Sequence, residues 1–290
     1  MADLFVLLGH PVGHSLSPAM HAAAFRAAHV PARYLALDAR DFRAAWTAVR
    51  RLEVQGGNVT VPWKGAAADA LDEPSEVAAR IGSANTFWRT GEGRLAGTDT
   101  DGEGFLRALR EVWGLDAAGA RVTVLGAGGA ARAVLHALGR SGAAALTVWN
   151  RTPTRAARLV EELRREGYAC RVELADPSEP SLTLGADRAA AGSTDLLVNA
   201  TAAGLLGKLA PQMDPAAFPG LRFAFDVVYA PRPTPFLLAC ARAGVPACDG
   251  RGMLLHQGAL AFELWLGRAA PLEAMRDALD HALGPSRTTG

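Results

Sequence analysis

Lysine is almost missing from this chain. Of its 30 basic side chains only two are lysines, Lys64 and Lys208, and the rest are arginines. Arginine stays protonated at any ordinary pH, whereas a desolvated lysine ammonium can lose its proton and act as a general acid or base. Lys64 ends the run Gly57-Asn58-Val59-Thr60-Val61-Pro62-Trp63-Lys64 and is therefore the first candidate for chemistry. The competing reading is that an arginine-rich composition left it there by chance. Lys208, between Gly207 and Leu209, reads as a solvated loop residue.

Other scarcities exclude whole classes. The three cysteines, Cys170, Cys240 and Cys248, are odd in number and scattered without CxxC spacing, which speaks against a disulfide framework or a thiolate metal site. A reducing, cytoplasmic setting is expected. Charge of one sign is not in excess: the net charge of +1 gives no global field for nucleic acid or an anionic membrane, although local basic sites remain open. Long hydrophobic runs are absent, since no stretch reaches the roughly 18 to 20 apolar residues that span a bilayer. The run Leu4-Phe5-Val6-Leu7-Leu8 before Gly9 has no basic residues ahead of it and reads as a first buried strand, not a signal peptide.

What is present is a chain of 290 residues, half hydrophobic and a fifth charged, enough for two ordinary domains with separate cores. Short apolar runs alternate with helical-period segments throughout, the pattern of parallel sheets covered by crossover helices. The spacing predicts strands at Leu4 to Leu8, Arg33 to Leu37 and Gly57 to Val61, with helices at Pro18 to Ala28 and Asp41 to Leu52. Pro62 is expected in the first turn of the next helix, where its missing N–H costs little. A helix at Glu76 to Ile81 and strands at Asn85 to Trp88 and Arg94 to Gly97 follow.

A helix from Asp101 to Trp113, stopped by Gly114, leads to a second unit opening with Arg121-Val122-Thr123-Val124-Leu125. Further strands are expected at Leu146 to Trp149, Leu196 to Asn199 and Phe223 to Val228, with helices starting at Pro153 and Pro235. Met253 to Gly267 and Leu272 to Leu283 read as closing helices. The expected fold is α/β with two α/β domains, 1–101 and 102–244, then C-terminal helices at 245–284 and a disordered tail at 285–290.

The clearest local motif is Gly126-Ala127-Gly128-Gly129-Ala130-Ala131, directly after a strand and opening a helix. Gly126 permits the tight turn, Gly128 lets backbone approach a pyrophosphate, and the small Ala131 permits close helix packing. The helix N-terminus supplies N–H groups and a positive dipole end, and this context supports dinucleotide binding over a purely structural turn. At the end of the next strand an NAD site would place Asp or Glu; here stand Asn150, Arg151 and Thr152, with Arg155 a turn on. A guanidinium pairs with a ribose 2′-phosphate, so NADP is favoured, against the plainer reading of an exposed helix start.

At the mouth of the first strand, Ser15 and Ser17 stand just before Pro18. Their hydroxyls suit either an anion at a helix end or simple N-capping. Taken with the Asn58 to Lys64 run, Ile81-Gly82-Ser83-Ala84-Asn85-Thr86 and Gly97-x-x-Thr100-Asp101, this segment resembles the shikimate dehydrogenase family. The resemblance continues through the Gly126 turn, Asn150-Arg151-Thr152, Asn199-Ala200-Thr201, Asp226-Val227-Val228-Tyr229 with Thr234-Pro235-Phe236-Leu237, and Asp249-Gly250-x-x-Met253-Leu254-x-x-Gln257. It runs in unbroken order along nearly the whole chain.

The resemblance implies an N-terminal substrate domain with a mostly parallel sheet, a C-terminal Rossmann-like NADP domain, a cleft between them, and C-terminal helices returning to the first domain. It implies NADP-dependent interconversion of 3-dehydroshikimate and shikimate, on the route to chorismate and the aromatic amino acids. Ser15 and Ser17 would hold the substrate carboxylate with Tyr229, while Thr60, Asn85 and Gln257 would bind its hydroxyls. Lys64 and Asp101 match the family's catalytic pair. Gly126, Ala127, Gly128, Gly129, Ala130, Asn150, Arg151, Thr152 and Arg155 would form the phosphate and adenosine end of the NADP site. Asn199 and Thr201 match the family's loop under the nicotinamide and Met253 its contact beside the ring, and Val227 and Gly250 would also bind the cofactor.

The chemistry of the residues agrees, because ketone reduction by hydride leaves an alkoxide that needs a proton and the reverse reaction needs a base. Asp101 would orient the Lys64 ammonium, or cap the helix it begins, and the two roles are compatible. One residue departs from the pattern: the family usually has Asn two positions before the catalytic Asp, and here stands Asp99. It either raises the Lys64 pKa or points away as a structural group, and it keeps a quinate- or aminoshikimate-type enzyme as the alternative. A non-catalytic NADP-binding regulator is the rival from another class. Beyond Thr201, Ala202-Ala203-Gly204 match less well. No metal is expected, since His14 and His21 have no third ligand in place. The chain reads as a monomer or homodimer with small-molecule ligands and no nucleic acid or membrane partner.

Overall fold

The computed structural model describes residues 2–175, 194–201, 214–218 and 220–283. Lys208, residues 202–204 and the tail at 285–290 lie outside the described residues. Contacts divide the chain into two units: residues up to Phe105 with those from Leu254 onward, and Leu106–Met253.

In the first unit the elements run β1 (Asp3–Gly9), α1 (Ser17–Ala27), β2 (Ala32–Asp38), α2 (Phe42–Arg51), β3 (Gly56–Val59), α3 (Lys64–Ala70), β4 (Glu73–Pro74), α4 (Glu76–Ile81), β5 (Thr86–Arg89) and β6 (Leu95–Thr98). They form one sheet in the order β2-β1-β3-β5-β6-β4. The crossovers through α1 and α2 make β1, β2 and β3 mutually parallel, while β5 runs antiparallel to both β3 and β6. The period of two along β1 sends Phe5 and Leu7 to one face and Val6 and Leu8 to the other, each into its own core. On the first face lie α1 and two later helices, α9 (Arg251–Leu266) from Leu254 onward and α10 (Leu272–Leu283), which close over Phe5 with Phe25, Leu255, Phe262, Met275 and Leu279. On the second, Trp46, Val49, Ala67 and Ala78 from α2, α3 and α4 pack on Phe87.

Local signals set the helix ends. Asp41 accepts the Ala44 N–H at 3.1 Å and Ser75 the Ala78 N–H at 3.1 Å, each serving as a side-chain cap. Pro62 departs from expectation. It stands ahead of α3, in a turn closed by the Trp63 N–H donating to the Thr60 carbonyl at 2.9 Å. That turn reverses the chain as it leaves β3, so the helix starts later, at Lys64 itself.

The second unit follows α5 (Asp101–Trp113), with the division falling inside this helix and not at its first residue. Its elements are β7 (Arg121–Leu125), α6 (Gly129–Arg140), β8 (Ala145–Trp149), α7 (Pro153–Arg165), β9 (Arg171–Leu174), β10 (Leu196–Asn199), β11 (Phe223–Asp226), α8 (Pro235–Arg242) and β12 (Ala247–Cys248). All pairings in the sheet β12-β11-β10-β7-β8-β9 are parallel. This is the doubly wound order of dinucleotide-binding sheets, with its switch point between β7 and β10. The second division comes at Met253, later than the expected domain boundary at 244. Asp249 to Met253 stay with this unit because Gly250 lies against the Val227 carbonyl, Gly252 lies against Ala108, and Asp249 pairs with Arg232 at 2.7 Å.

Among the described residues no helix is long and apolar enough to cross a membrane, and no cluster of three or more His, Cys, Asp or Glu could hold a metal ion. His21 is fully buried, its ring stacked 4.6 Å from Tyr34 and tilted against Trp265 at 4.8 Å, and burial lowers its pKa to about 3 against the opposing side chain of Asn58. Its role is in this aromatic core. Cys170, Cys240 and Cys248 are free thiols.

Candidate active site

Lys64 is placed by the Thr60–Trp63 turn at the first position of α3, and its carbonyl accepts the Ala84 N–H at 3.0 Å. An ammonium is unfavourable at the positive end of a helix, so the site needs a counter-charge. Asp101, at the first position of α5, supplies it. Lys64 Nζ donates to Asp101 Oδ2, with the two side chains only 14% and 9% exposed. Burial alone would lower the proton affinity of Lys64. The charges of Asp101 and Asp99 and the hydrogen bond to Asp101 outweigh it, so the pKa of Lys64 is raised above the ordinary lysine value.

The other oxygen of Asp101 is held as firmly. Asn85 Nδ2 donates to Asp101 Oδ1 at 2.6 Å, and at 3.4 Å to Gln257 Oε1. The side-chain oxygen Oδ1 of Asn85 accepts from the Thr100 N–H at 2.8 Å and from Thr86 Oγ1 at 2.9 Å. Thr86 Oγ1 in turn accepts from Asn58 Nδ2 at 3.0 Å, and Asn58 Oδ1 accepts from the Tyr34 hydroxyl at 2.7 Å. A buried polar chain therefore runs Tyr34–Asn58–Thr86–Asn85–Asp101–Lys64, locking the amide and carboxylate in one orientation. Gln257 reaches it because Gly104 has no side chain: a Cβ there would meet the Gln257 backbone nitrogen at 2.7 Å.

Asp99 takes part in this cluster and does not point away. It is 7% exposed, with Ser83 Oγ donating to its Oδ2 at 2.9 Å and the Asp101 N–H to its Oδ1 at 3.0 Å. Burial and the charge of Asp101 push its carboxyl up to about 7, against the pull of Lys64 and of both hydrogen bonds. Asp99 thus holds the N–H that begins α5, which leaves the Asp101 side chain to Lys64 and Asn85.

Ser15 and Ser17 are neighbours but not helix caps. Leu16 occupies the cap position of α1, where no side chain accepts a hydrogen bond. Ser15 Oγ instead donates to Ser17 Oγ and accepts the Ser17 N–H, both at 3.3 Å. Thr60 lies half-buried at the end of β3. Among the described residues no side-chain hydrogen bond ties Thr60 or the serine pair to the Lys64 group. Tyr229, in the loop after β11, belongs to the second unit, as do Val227, Gly250 and Met253.

In the second unit the expected nucleotide residues follow the ends of several strands, with Gly126 after β7, Asn150 and Arg151 after β8 and Asn199 at the end of β10. Gly126 follows β7 with φ of +121°, and a Cβ on it would lie 2.8 Å from the Ala200 carbonyl oxygen. Only glycine allows the two strand ends to approach this closely. Gly128 takes the cap position of α6 without any side-chain hydrogen bond, and a Cβ on it would meet nothing within 4 Å. No side chain caps the first N–H groups of α6, at Gly129 and Ala130, while the fully buried Ala131 seats the helix on the sheet. After β8, Asn150 Nδ2 donates to the Thr152 carbonyl at 2.9 Å and shapes the turn that carries Arg151. Arg151 and Arg155 are exposed and pair with no described acidic residue, so both guanidinium groups suit a phosphate.

Asn199 is fully buried, accepting from the Thr201 N–H at 3.2 Å and Oγ1 at 2.7 Å. Its amide donates to Asp226 Oδ1 at 2.9 Å. Asp226, absent from the site residues inferred from sequence, also accepts from the Val228 N–H at 3.0 Å and Thr234 Oγ1 at 2.6 Å. Burial pushes this carboxyl up to about 7 although all three donors pull the other way. It anchors the Asn199–Thr201 loop, and its sequence signal is an acidic residue inside the apolar run Phe223 to Val228, a strand that ends at Asp226 itself.

Residues 7–87 match the family model for the shikimate dehydrogenase substrate binding domain, 108–176 that for shikimate / quinate 5-dehydrogenase, and 250–279 that for the shikimate 5'-dehydrogenase C-terminal domain. A shikimate dehydrogenase (NADP(+)) from Moorella thermoacetica is 44% identical over 287 residues, 98% of this chain and 94% of that protein. The chain belongs to the shikimate dehydrogenase family. Within that family, the shikimate 5-dehydrogenase of Thermus thermophilus, solved in complex with NADP(H) and shikimate, is 41% identical with a TM-score of 0.81, covering 97% of this chain and 100% of that one. A quinate dehydrogenase from Corynebacterium glutamicum, solved with NAD, is 30% identical with a TM-score of 0.82, covering 96% of this chain and 98% of that one. As a shikimate dehydrogenase family member the chain has an enzyme's architecture, and its buried lysine–aspartate pair argues against a non-catalytic regulator.

Proposed function

We propose that the protein catalyses the NADP-dependent interconversion of 3-dehydroshikimate and shikimate, a step towards chorismate and the aromatic amino acids. The observation that carries this reading is the buried pairing of Lys64 with Asp101, oriented by Asn85, in the unit that matches the family's substrate binding domain. Ser15 and Ser17, with Tyr229, hold the substrate carboxylate. Thr60, Asn85 and Gln257 bind ring hydroxyls. When bound, the cofactor's chemistry is hydride donation to the carbonyl carbon. Lys64 donates a proton to the carbonyl oxygen as it becomes an alcohol, and takes the proton from the hydroxyl in the reverse direction. Asp101 keeps the ammonium aimed and charged between turnovers, and water restores the proton spent. The reading also places the enzyme in a reducing cytoplasm, where its three free thiols persist.

The uncapped start of α6 suits the pyrophosphate, Arg151 and Arg155 the 2′-phosphate, and the Asn199–Thr201 loop the nicotinamide end with Val227, Gly250 and Met253. Arg151→Ala is expected to raise the KM for NADP roughly 10- to 150-fold, the loss of one charge-assisted hydrogen bond, and to leave the KM for NAD nearly unchanged. Initial rates with both cofactors check this, and equal effects on the two would dissociate Arg151 from the 2′-phosphate.

A panel of shikimate, quinate and aminoshikimate, each with NADP and NAD, tests the whole reading through kcat/KM. Highest turnover is expected with shikimate and NADP. Absence of turnover with every shikimate-like acid would sink the assignment. The second reading, a quinate- or aminoshikimate-type enzyme, is kept because the solved quinate dehydrogenase matches with a TM-score of 0.82. The same panel separates the two.

A further inference from the structure

Three buried ionisable groups meet at this site, and only two of them have a place in the proton transfer. The third, Asp99, lies between β6 and α5, its carboxylate held by the Ser83 hydroxyl at 2.9 Å and the Asp101 N–H at 3.0 Å. Lys64 donates to Asp101 and also feels the charge of Asp99. The ammonium therefore pairs with one carboxylate and lies in the field of a second, where solvent screens little.

We propose that Asp99 is a positioning residue that tunes the proton affinity of Lys64, by its charge and through the Asp101 N–H it holds, so that the pH dependence of proton transfer in both directions depends on whether Asp99 is ionised. This rests on Lys64 being the acid–base group. The charges bearing on Asp99 are Asp101, on α5, and Lys64, on α3, while Ser83, after α4, contributes a neutral hydroxyl. With its carboxyl pushed up to about 7, Asp99 is protonated in mildly acidic solution, and the ionised Lys64–Asp101 pair is electrically neutral. As pH rises through that value Asp99 becomes negative and Lys64 holds its proton more tightly. Alcohol oxidation, which needs neutral Lys64, then gains less with each pH increment. Carbonyl reduction keeps its proton donor further into the alkaline range.

Asp99→Asn removes the charge, keeps the shape and retains an oxygen for the Asp101 N–H. The experiment is the pH profile of kcat/KM for shikimate oxidation and for 3-dehydroshikimate reduction, in wild type and variant, with thermal unfolding alongside. In the wild type the oxidation profile should climb with less than unit slope around pH 7, where Asp99 titrates. In Asp99→Asn it should climb with unit slope, level off at lower pH and lie several-fold above wild type on the rising limb. Because the overall equilibrium fixes the ratio of the two rates at each pH, wild-type reduction should step down around pH 7, and in Asp99→Asn that step should vanish while the alkaline limb of reduction moves to lower pH. Superimposable profiles overturn the proposal.

If Asp99→Asn folds poorly, Ser83→Ala leaves both carboxylates in place and removes one donor from Asp99. Its near-neutral inflection should move to higher pH, and an unmoved inflection overturns the proposal. Lys64→Met measured in parallel separates the two readings. Near-normal turnover there ends the assignment of Lys64 and this proposal with it, whereas an inactive Lys64→Met beside an unchanged Asp99→Asn profile ends the role of Asp99 alone.

Discussion

Replacing Lys64 with methionine should lower kcat by about 100- to 10,000-fold, the usual contribution of a positioned acid or base, with little change in shikimate affinity. Methionine has nearly the length of the lysine stem and no proton to give. The carboxylate and ring hydroxyls of the substrate are assigned to Ser15, Ser17, Thr60, Asn85 and Gln257, none of which the substitution touches, so the loss should fall on kcat and not on KM. The substitution does leave Asp101 without its cation, and an unpaired buried carboxylate is costly. Lys64→Arg is the companion, since it keeps the positive charge beside Asp101 but cannot deprotonate. Both variants should show this loss in shikimate oxidation, and Lys64→Arg should unfold closer to the wild-type temperature. Steady-state kinetics with equilibrium binding of shikimate decide the matter. A near-normal kcat in Lys64→Met would remove the residue from the chemistry.

The second large effect is expected at the other unit. Gly126→Val places a β-branched side chain at φ of +121°, with its Cβ 2.8 Å from the Ala200 carbonyl oxygen. Neither problem relaxes locally, because Ala200 is held by its N–H donating to the Leu125 carbonyl at 2.8 Å and continues into the Asn199–Thr201 loop. Backbone strain and the clash together should cost about 2–5 kcal/mol of stability. The displaced turn would also misaim the first N–H groups of α6, so the Kd for NADPH should rise roughly 10- to 100-fold as hydrogen bonds to its charged phosphates are lost. Fluorescence titration of NADPH and urea unfolding measure the two effects. Wild-type affinity in a stably folded Gly126→Val protein would break the link between this turn and the cofactor.

Much of this architecture was legible from periodicity. The alternation of apolar strands with helical segments marked both sheets, and β10 at Leu196–Asn199 and α10 at Leu272–Leu283 have the bounds their patterns suggest. What periodicity cannot carry is direction and very short pairing. The antiparallel course of β5 is decided by connections, and two-residue strands such as β4 and β12 have no room for alternation. The start of α3 was misread because Pro62 suits a first helical turn as well as the tight turn it occupies.

The site divides in the same way. Lys64 stood out by scarcity and motif, and the glycines after β7 by their position between strand and helix. The buried chain from Tyr34 to Asp101 did not, since Asn58 and Thr86 are 28 residues apart and meet only because β3 and β5 are paired. Asp99 was visible as a departure from the family pattern, but whether it faced Lys64 depended on Ser83 and the Asp101 N–H, contacts no spacing rule reveals.

Asn85 carries a last consequence. Its amide already spends both kinds of hydrogen bond inside the protein, giving to Asp101 and Gln257 and receiving from Thr86 and Thr100. In the proposed role, a ring hydroxyl reaching Asn85 trades places with the long 3.4 Å contact to Gln257 and does not fill a vacancy. Such an exchange adds little net affinity, because one bond is surrendered for each one made. Its benefit is selective: an isomer that places a ring carbon where the hydroxyl oxygen belongs breaks the contact without replacing it. Asn85 is thereby suited to discriminate between stereoisomers of the ring while contributing little to how tightly the right one is held.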